Sequence, residues 1–103
     1  MATTTVPSGT KSNVTVATVG TNGVKITGYY AVLYLGSKQN ATGYTPVTFK
    51  TVTGKAYSVL VENYEQCLFS HWKDTNSTNP KRNFTASGPV TYTAVYSGSC
   101  NTG

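Results

Sequence analysis

Side chains that could perform acid–base or nucleophilic chemistry are scarce in this chain of 103 residues. The acidic residues are Glu62, Glu65 and Asp74, and the only histidine is His71. Glycoside hydrolysis needs two carboxyl groups on either side of the bond that is cleaved, yet Glu62 and Glu65 flank a predicted turn where nothing marks either as desolvated. No G-x-S-x-G nucleophile motif accompanies His71, which we place on the solvent face of a strand or at a sheet edge. We therefore predict that the chain is not an enzyme.

The two cysteines, Cys67 and Cys100, do not form a C-x-x-C pair. A zinc site needs about four nitrogen, sulfur or oxygen ligands, so with a single histidine we predict no metal and no cofactor. A disulfide between Cys67 and Cys100 would contribute about 3–4 kcal/mol to the free energy of unfolding. Such a bond would indicate an oxidising, extracellular setting. Two unpaired thiols are the alternative.

Aromatic side chains are the most informative functional feature. The chain has eight tyrosines, three phenylalanines and one tryptophan, and a small core cannot hold them all because a buried tyrosine needs a partner for its hydroxyl. Rings displayed on a rigid sheet could stack on the apolar faces of sugars, while polar neighbours bond to the sugar hydroxyls. The alternatives are cross-strand packing for each tyrosine and burial for the tryptophan. The candidate ligand-binding residues are Trp72, Tyr44, Tyr64, Tyr30 and Tyr34 for stacking, and Asp74, Asn79 and Arg82 for hydrogen bonding.

The net charge of +5 is spread along the chain. Lys81 and Arg82 are the only adjacent cations, and Arg82 is the single arginine. One arginine offers little of the bidentate recognition that is typical of nucleic-acid readers, so we predict no nucleic-acid partner. Attachment to an anionic polymer is an alternative, and such binding would weaken steeply with salt.

The elements that must position these residues are short strands. β-Branched and aromatic residues number 44 of 103, against 24 strong helix formers, and this balance favours strands. Turn residues separate the strand candidates, the segment 36–43 is predicted to be a polar turn, and Thr27-Gly28 is predicted to mark a kink or bulge. The fold predicted is an all-β, two-sheet β-sandwich of about seven strands, immunoglobulin-like or fibronectin-III-like, with a small barrel as the alternative. The predicted strands span 13–19, 24–35, 45–50, 57–62, 67–73, 83–87 and 91–96.

Alternation of apolar residues along these strands predicts the core and the limits of the domain. We expect a linker remnant at 1–11, the β-sandwich module at 12–97 and a C-terminal tail at 98–103. No apolar run approaches the length of a membrane-spanning helix, so no membrane span is predicted. The predicted core residues are Val14, Val16, Val24, Ile26, Val32, Val47, Phe49, Tyr57, Val59, Val61, Phe69, Phe84, Ala94 and Val95.

Five stretches carry a resemblance to a known type of module. They read GYTPVTF at 43–49, YSVLVENY at 57–64, FSHWKD at 69–74, STNPKRNFT at 77–85 and TYTAVY at 91–96. Over residues 12–97 the chain resembles a β-module of secreted archaeal multidomain proteins, most similar to those of ammonia-oxidising lineages. More distantly it resembles the internalin-type B-repeat, with its F-x-x-W and T-A-V-Y pattern. The two cysteines depart from this pattern.

The resemblance implies an extracellular setting, secreted or at the cell surface, and an accessory role beside other domains of a longer parent chain. It also implies that Phe69 and Trp72 are signature positions for packing. With the surplus of rings, we predict a non-catalytic carbohydrate-binding accessory module of a secreted polysaccharide-acting protein. The expected partner is a polysaccharide, cellulose-like or another insoluble glycan with a flat surface. The alternative is a structural spacer or adhesion domain of a cell-surface protein without a small-molecule ligand.

Overall fold

The computed structural model of the chain describes residues 11–100, and every regular element in this range is a β-strand. Short runs of alternating apolar and polar residues, separated by glycine-containing turns, account for this strand-only structure. The nine strands are β1 Lys11–Gly20, β2 Lys25–Ile26, β3 Tyr30–Leu35, β4 Lys38–Tyr44, β5 Val47–Val52, β6 Ala56–Val61, β7 Cys67–Trp72, β8 Lys81–Thr85 and β9 Val90–Gly98.

The strands form two sheets that pack face to face. In the five-stranded sheet β1 is central, with β2 and β5 along one side of it, β9 along the other and β7 beyond β9. The four-stranded sheet has the order β4-β3-β6-β8, and all its pairs are antiparallel. β1 and β9 form the one parallel pair among the described strands. The predicted all-β sandwich of two sheets is confirmed.

The core lies between the sheets and contains apolar side chains that alternate along each strand. In β6, Tyr57, Val59 and Val61 are buried in one continuous cluster. Buried hydroxyls in this layer are satisfied, since Thr18 Oγ1 donates to the carbonyl of Ile26 at 2.8 Å. An unpaired buried hydroxyl would cost free energy. Eight predicted core residues are confirmed as buried between the sheets: Val14, Val16, Ile26, Phe49, Tyr57, Val59, Val61 and Ala94. Val32 and Val95 are also buried, but alternation places them on the outer faces of their sheets.

The predicted strand 24–35 is divided at Gly28 into β2 and β3. Gly28 has a φ of 91°, a conformation that glycine adopts without the steric cost of a side chain, and its amide donates to the carbonyl of Thr45. The predicted kink is therefore a break between strands. Val24 is 44% exposed because it lies in the turn between β1 and β2, so its predicted place in the core was wrong.

The segment 36–43, predicted to be a polar turn, mostly forms strand β4. Only Gly36 and Ser37 make the turn, and β4 pairs with β3 from Lys38 to Tyr44. Polar residues suit β4 because it is an edge strand with solvent on its outer side. This added strand and the division at Gly28 explain why the structure has nine strands rather than about seven.

The disulfide joins the beginning of β7 to the segment after β9. Cys67 and Cys100 are bonded, with their Cα atoms 4.7 Å apart, and Cys67 is buried. The predicted disulfide is confirmed. β1 begins at Lys11 and β9 ends at Gly98, one residue outside each predicted limit of the module. The remainder of the predicted linker, residues 1–10, and residues 101–103 of the predicted tail lie outside the described residues.

Candidate functional site

Three of the candidate tyrosines share the outer face of the four-stranded sheet. In β3, Ala31 and Leu33 point into the core, so Tyr30 and Tyr34 point away from it. Tyr44 of β4 lies directly opposite Tyr30 in the ladder and is 65% exposed. The predicted shared orientation of Tyr30 and Tyr34 therefore brings a third ring, Tyr44, to the same face.

Tyr30 and Tyr44 form a cross-strand aromatic pair. Their ring centroids are 5.3 Å apart and the ring planes meet at 51°. Tyr44 is the more exposed of the two because β4 is the edge of the sheet, whereas Tyr30 on β3 is half-buried. Two adjacent rings, one largely in solvent, give this end of the face an aromatic surface.

The other end of the face combines an aromatic ring with a cation. The Lys81 ammonium of β8 lies 5.0 Å from the ring centroid of Tyr34, within the range of a cation–π contact. Val32 lies between Tyr30 and Tyr34 on β3 and is only 3% exposed, so its neighbours cover it. We call this surface the tyrosine face; its members are Tyr30, Val32, Tyr34, Thr42, Tyr44, Leu60 and Lys81.

Polar groups able to bond to a ligand border the rings. Thr42 lies opposite Val32 and Gln39 opposite Tyr34 in the β3–β4 ladder, and both residues are exposed. Asn83, on the same side of β8 as Lys81, accepts a hydrogen bond from the Ser58 hydroxyl at 2.8 Å. The hydroxyl of Thr42 and the amide of Gln39 can donate and accept hydrogen bonds, so the tyrosine face offers both apolar and polar contacts.

Tyr64 lies away from the tyrosine face. It is 60% exposed, and its ring meets the edge of Tyr29 at a centroid distance of 6.3 Å. Tyr29 is buried and packs at 4.8 Å against Tyr96 in the core, which is the opposite side of the chain from Tyr30. The carboxylate of the adjacent Glu65 raises the pKa of the Tyr64 hydroxyl. Tyr64 is thus an exposed ring that does not join the other three.

Trp72 is a core residue, and its predicted role as an exposed stacking ring was wrong. Its side chain is fully buried because Trp72 is at an inward position of β7 and packs 5.5 Å from the ring of Phe69. The indole Nε1–H donates to the carbonyl of Asn79 at 2.8 Å, which satisfies its one polar group. The packing role implied by the resemblance agrees with this placement.

The three predicted hydrogen-bonding residues surround Trp72 and are already engaged. The Arg82 guanidinium lies 3.9 Å from the ring centroid of Tyr92 and 5.0 Å from that of Trp72. It donates from Nη1 and Nη2 to the two oxygens of Asp74 at 2.9 and 3.1 Å. These hydrogen bonds lower the pKa of the Asp74 carboxyl below its usual 3.8. Asn79 Oδ1 accepts the amide of Lys81 at 3.0 Å.

We call these five residues the tryptophan cluster: Trp72, Asp74, Asn79, Arg82 and Tyr92. The cluster holds the loop between β7 and β8 against the core, so its polar groups contribute to the fold. The ligand-binding roles of Asp74, Asn79 and Arg82 stay predictions, and in the structure these side chains take part in intramolecular bonds.

The remaining reactive side chains are dispersed. His71 Nδ1 lies 2.9 Å from the hydroxyl of Ser70, on the outer side of the five-stranded sheet beside Val95 and Lys73. Among residues 11–100, no three histidine, cysteine or acidic side chains come together in a way that could hold a metal ion. The same range contains no helix with the length and apolar character needed to cross a membrane.

Comparison with known proteins gives no relative from which a function for this site could be inferred. No protein-family model matches the chain, and no curated protein sequence matches it significantly. The members of the tyrosine face that sequence reasoning missed are Val32, Thr42, Leu60 and Lys81. The alternation of β3 and β6 contained the signal for Val32 and Leu60, but the segment with Thr42 was assigned to a turn.

Proposed function

We propose that the chain is a non-catalytic carbohydrate-binding module and that the tyrosine face is its binding surface. The observation that carries this proposal is the grouping of Tyr30, Tyr34 and Tyr44 on one side of one sheet, with Tyr44 65% exposed and 5.3 Å from Tyr30. A contiguous group of aromatic rings at the surface is typical of an interaction site.

The chemistry of the tyrosine face suits a neutral sugar chain. One side of a pyranose ring presents C–H groups that can pack on an aromatic ring, and its hydroxyls need hydrogen-bond partners. Tyr44 and Tyr30 supply the apolar contact, while exposed Thr42 near them and exposed Gln39 at the Tyr34 end of the face supply hydrogen-bonding groups. A ligand bound in this way gains apolar burial without losing the hydrogen bonds of its hydroxyls.

The tilt of the rings favours a single glycan chain over a flat crystalline surface. Because the planes of Tyr30 and Tyr44 meet at 51°, both rings cannot lie flat against one planar surface. A chain whose successive sugars rotate relative to one another can meet both rings. We therefore replace the expected flat insoluble glycan with a single, twisted polysaccharide chain, soluble or in an amorphous solid.

Binding to polysaccharides of different order tests this proposal. We expect the protein to be retarded by soluble xylan or hydroxyethylcellulose in affinity electrophoresis and retained more on amorphous than on microcrystalline cellulose. Tyr44→Ala should weaken binding about tenfold or more, as for loss of one ring stacked on a nucleic-acid base, which costs about 1–3 kcal/mol. Xylan, cellulose and chitin all failing to bind would refute the proposal.

Tyr64→Ala is the matched control, because Tyr64 is almost as exposed as Tyr44 but packs against Tyr29 instead of the tyrosine face. It should leave binding unchanged. Equal loss of binding in both variants would show that the binding site is not on the tyrosine face. Measuring retention at rising salt concentration distinguishes glycan stacking from attachment to an anionic polymer. Retention that depends on the +5 charge would weaken with salt, whereas retention by stacking would persist.

The setting we propose is extracellular, as an accessory domain of a secreted protein. The buried disulfide between Cys67 and Cys100 is compatible with an extracellular protein, because such bonds persist in oxidising compartments. The likeness to modules of secreted archaeal proteins gives the same setting. The spacer or adhesion domain remains the second candidate, and it is favoured by the opposite positions of the two ends of the domain along the parallel β1–β9 pair.

A further inference from the structure

The first and last strands of the domain form a parallel ladder. β1 pairs with β9 through seven consecutive positions, from Val14 opposite Val90 to Gly20 opposite Tyr96. Because the strands run in the same direction, the chain enters β1 at one end of the ladder and leaves β9 at the other. The beginning of β1 and the end of β9 are therefore at opposite ends of the sheet.

This geometry determines how the domain meets a stretching force. Tension between the two ends pulls β1 and β9 past each other along their common axis, across the evenly spaced, slanted hydrogen bonds between them. All pairs of the ladder then carry load together, and none can be released without the others. If the same ladder were pulled open from one end, its hydrogen bonds would break one at a time.

β1 is also held along its other side. Its first six residues pair with β5, from Lys11 opposite Val52 to Val16 opposite Val47, so residues 14–16 of β1 are bonded on both sides. Side chains add to this ladder, since the hydroxyls of Thr15 and Thr48 share a hydrogen bond of 3.0 Å. Withdrawing β1 from the sheet must therefore disrupt the pairings with both β5 and β9.

The opposite end of the ladder is covalently fastened. Cys100 follows β9 and is bonded to Cys67 at the beginning of β7, and β7 is the other neighbour of β9. Force that reaches Cys100 passes into β7 as well as β9. The disulfide thus prevents β9 from being peeled away from β7 at the end where tension is applied.

We propose that this domain is a force-bearing link that resists tension applied between its two ends, with the β1–β9 ladder loaded in shear and the disulfide anchoring β9. The inference is independent of the proposed glycan binding. It gives a mechanical function to the same scaffold, so a failure of either proposal leaves the other untouched.

Single-molecule force spectroscopy with two pulling directions tests the link. The full chain is pulled first from its N- and C-termini, and then from the C-terminus and a bioorthogonal residue in place of Thr21. Thr21 is exposed and follows β1 directly, so the second direction opens the ladder from its Gly20–Tyr96 end. Forced unfolding follows the unfolding rate along the pulled direction, and the thermodynamic stability of the protein is the same in both experiments apart from the exposed substitution.

We expect a clearly higher unfolding force at the same loading rate when the termini are pulled. Equal forces in the two directions, or a lower force between the termini, would overturn the shear ladder. A denaturation curve of the Thr21-substituted protein that coincides with that of the natural protein confirms that pulling direction alone differs.

Repeating the terminal pull in reductant tests the disulfide anchor. While the bond between Cys67 and Cys100 holds, the 33-residue separation between them cannot extend. Reduction should lengthen each unfolding step by roughly 110–120 Å, from about 3.3–3.6 Å per residue of extended chain. The longer step reports that the bond has been reduced, and we expect the unfolding force to fall with it. An unfolding force that does not change when the step lengthens would show that the bond does not anchor β9.

Discussion

The tyrosine face and the tryptophan cluster are built from the same kinds of side chain and do different things. Each places a cation over an aromatic ring, with Lys81 over Tyr34 in the first and Arg82 over Tyr92 in the second. Lys81 is exposed, whereas the Arg82 side chain is 15% exposed and is paired with Asp74. The difference shows that the side of the sheet, rather than residue type, separates a candidate binding surface from a structural contact.

Strand β8 produces this difference between two consecutive residues. Lys81 lies opposite Leu60 of β6, which is on the tyrosine face, and Arg82 lies opposite Val59, which is in the core. Neighbouring residues of a strand point to opposite sides, so one cation reaches solvent and the next reaches the layer between the sheets. Arg82 can lie in the layer between the sheets because its charge is paired with the Asp74 carboxylate and lies over the rings of Trp72 and Tyr92.

The largest expected effect is on the free energy of unfolding of Trp72→Ala. Removing a fully buried tryptophan leaves a cavity and should cost about 3–5 kcal/mol. Chemical denaturation followed by tyrosine fluorescence or circular dichroism measures the change. Tyr44→Ala, on the tyrosine face, loses its cross-strand contact with Tyr30 and should cost no more than about 1 kcal/mol. Comparable losses at both positions would break the distinction between the two regions.

A smaller effect is expected from removing the cation of the tryptophan cluster. Arg82→Gln loses the contacts with Trp72 and Tyr92 and should lower the free energy of unfolding by about 1–2 kcal/mol, the range for a partly desolvated cation–π contact. The matched change Lys81→Gln on the preceding residue removes only an exposed cation–π contact and should cost less than about 1 kcal/mol. Thermal denaturation of the pair compares the two sides of β8, and the reverse order would contradict our assignment.

The smallest effect concerns the Asp74–Arg82 ion pair and depends on pH. The hydrogen bonds from Arg82 lower the pKa of Asp74 in the folded state below 3.8, so the ionised carboxylate stabilises the fold. That contribution is complete well above pH 3.8 and is lost as the pH falls through the folded-state pKa. Because the Asp74 side chain is 53% exposed, we expect Asp74→Asn to cost less than about 1 kcal/mol at neutral pH.

Urea denaturation of Asp74→Asn and the natural protein at pH 7 and near pH 3 measures this dependence. The difference in free energy of unfolding should shrink at the lower pH. In an Arg82→Gln background the difference should be smaller, since Arg82 is the largest of the groups that lower the pKa and only the backbone amides of Asp74 and Thr75 remain. A difference as large as in the natural protein would assign the effect of Asp74 to another contact.

Much of the scaffold could be predicted from local sequence. Strand type follows from the abundance of threonine, valine and tyrosine, and the alternation in 57–61 correctly places Tyr57, Val59 and Val61 in the core. The pairing of Cys67 with Cys100 was the simplest reading of two cysteines and is confirmed. These properties depend on side-chain chemistry and on the two-residue period of a strand, and both can be recognised in the amino-acid sequence.

The tyrosine face could be identified only from the tertiary structure. Strand alternation predicts that Tyr29 and Tyr30 point to opposite sides, but it does not predict which side packs against the second sheet. That packing buries Tyr29 and leaves Tyr30 half-buried on the outer face. The strand β4 has polar residues typical of a turn and exists because β3 offers it a ladder. That pairing is what brings Tyr44 beside Tyr30.

What the amino-acid sequence determined by itself is therefore the strand-rich fold, its covalent cross-link and most of its core. The packing of two sheets decided which aromatic rings face water, turning Trp72 inward and leaving Tyr44 outward. The physical reason is that burial depends on what lies across the interface, and Trp72 shares its buried cluster with Leu33 and Val59 of the other sheet, which come from another part of the chain.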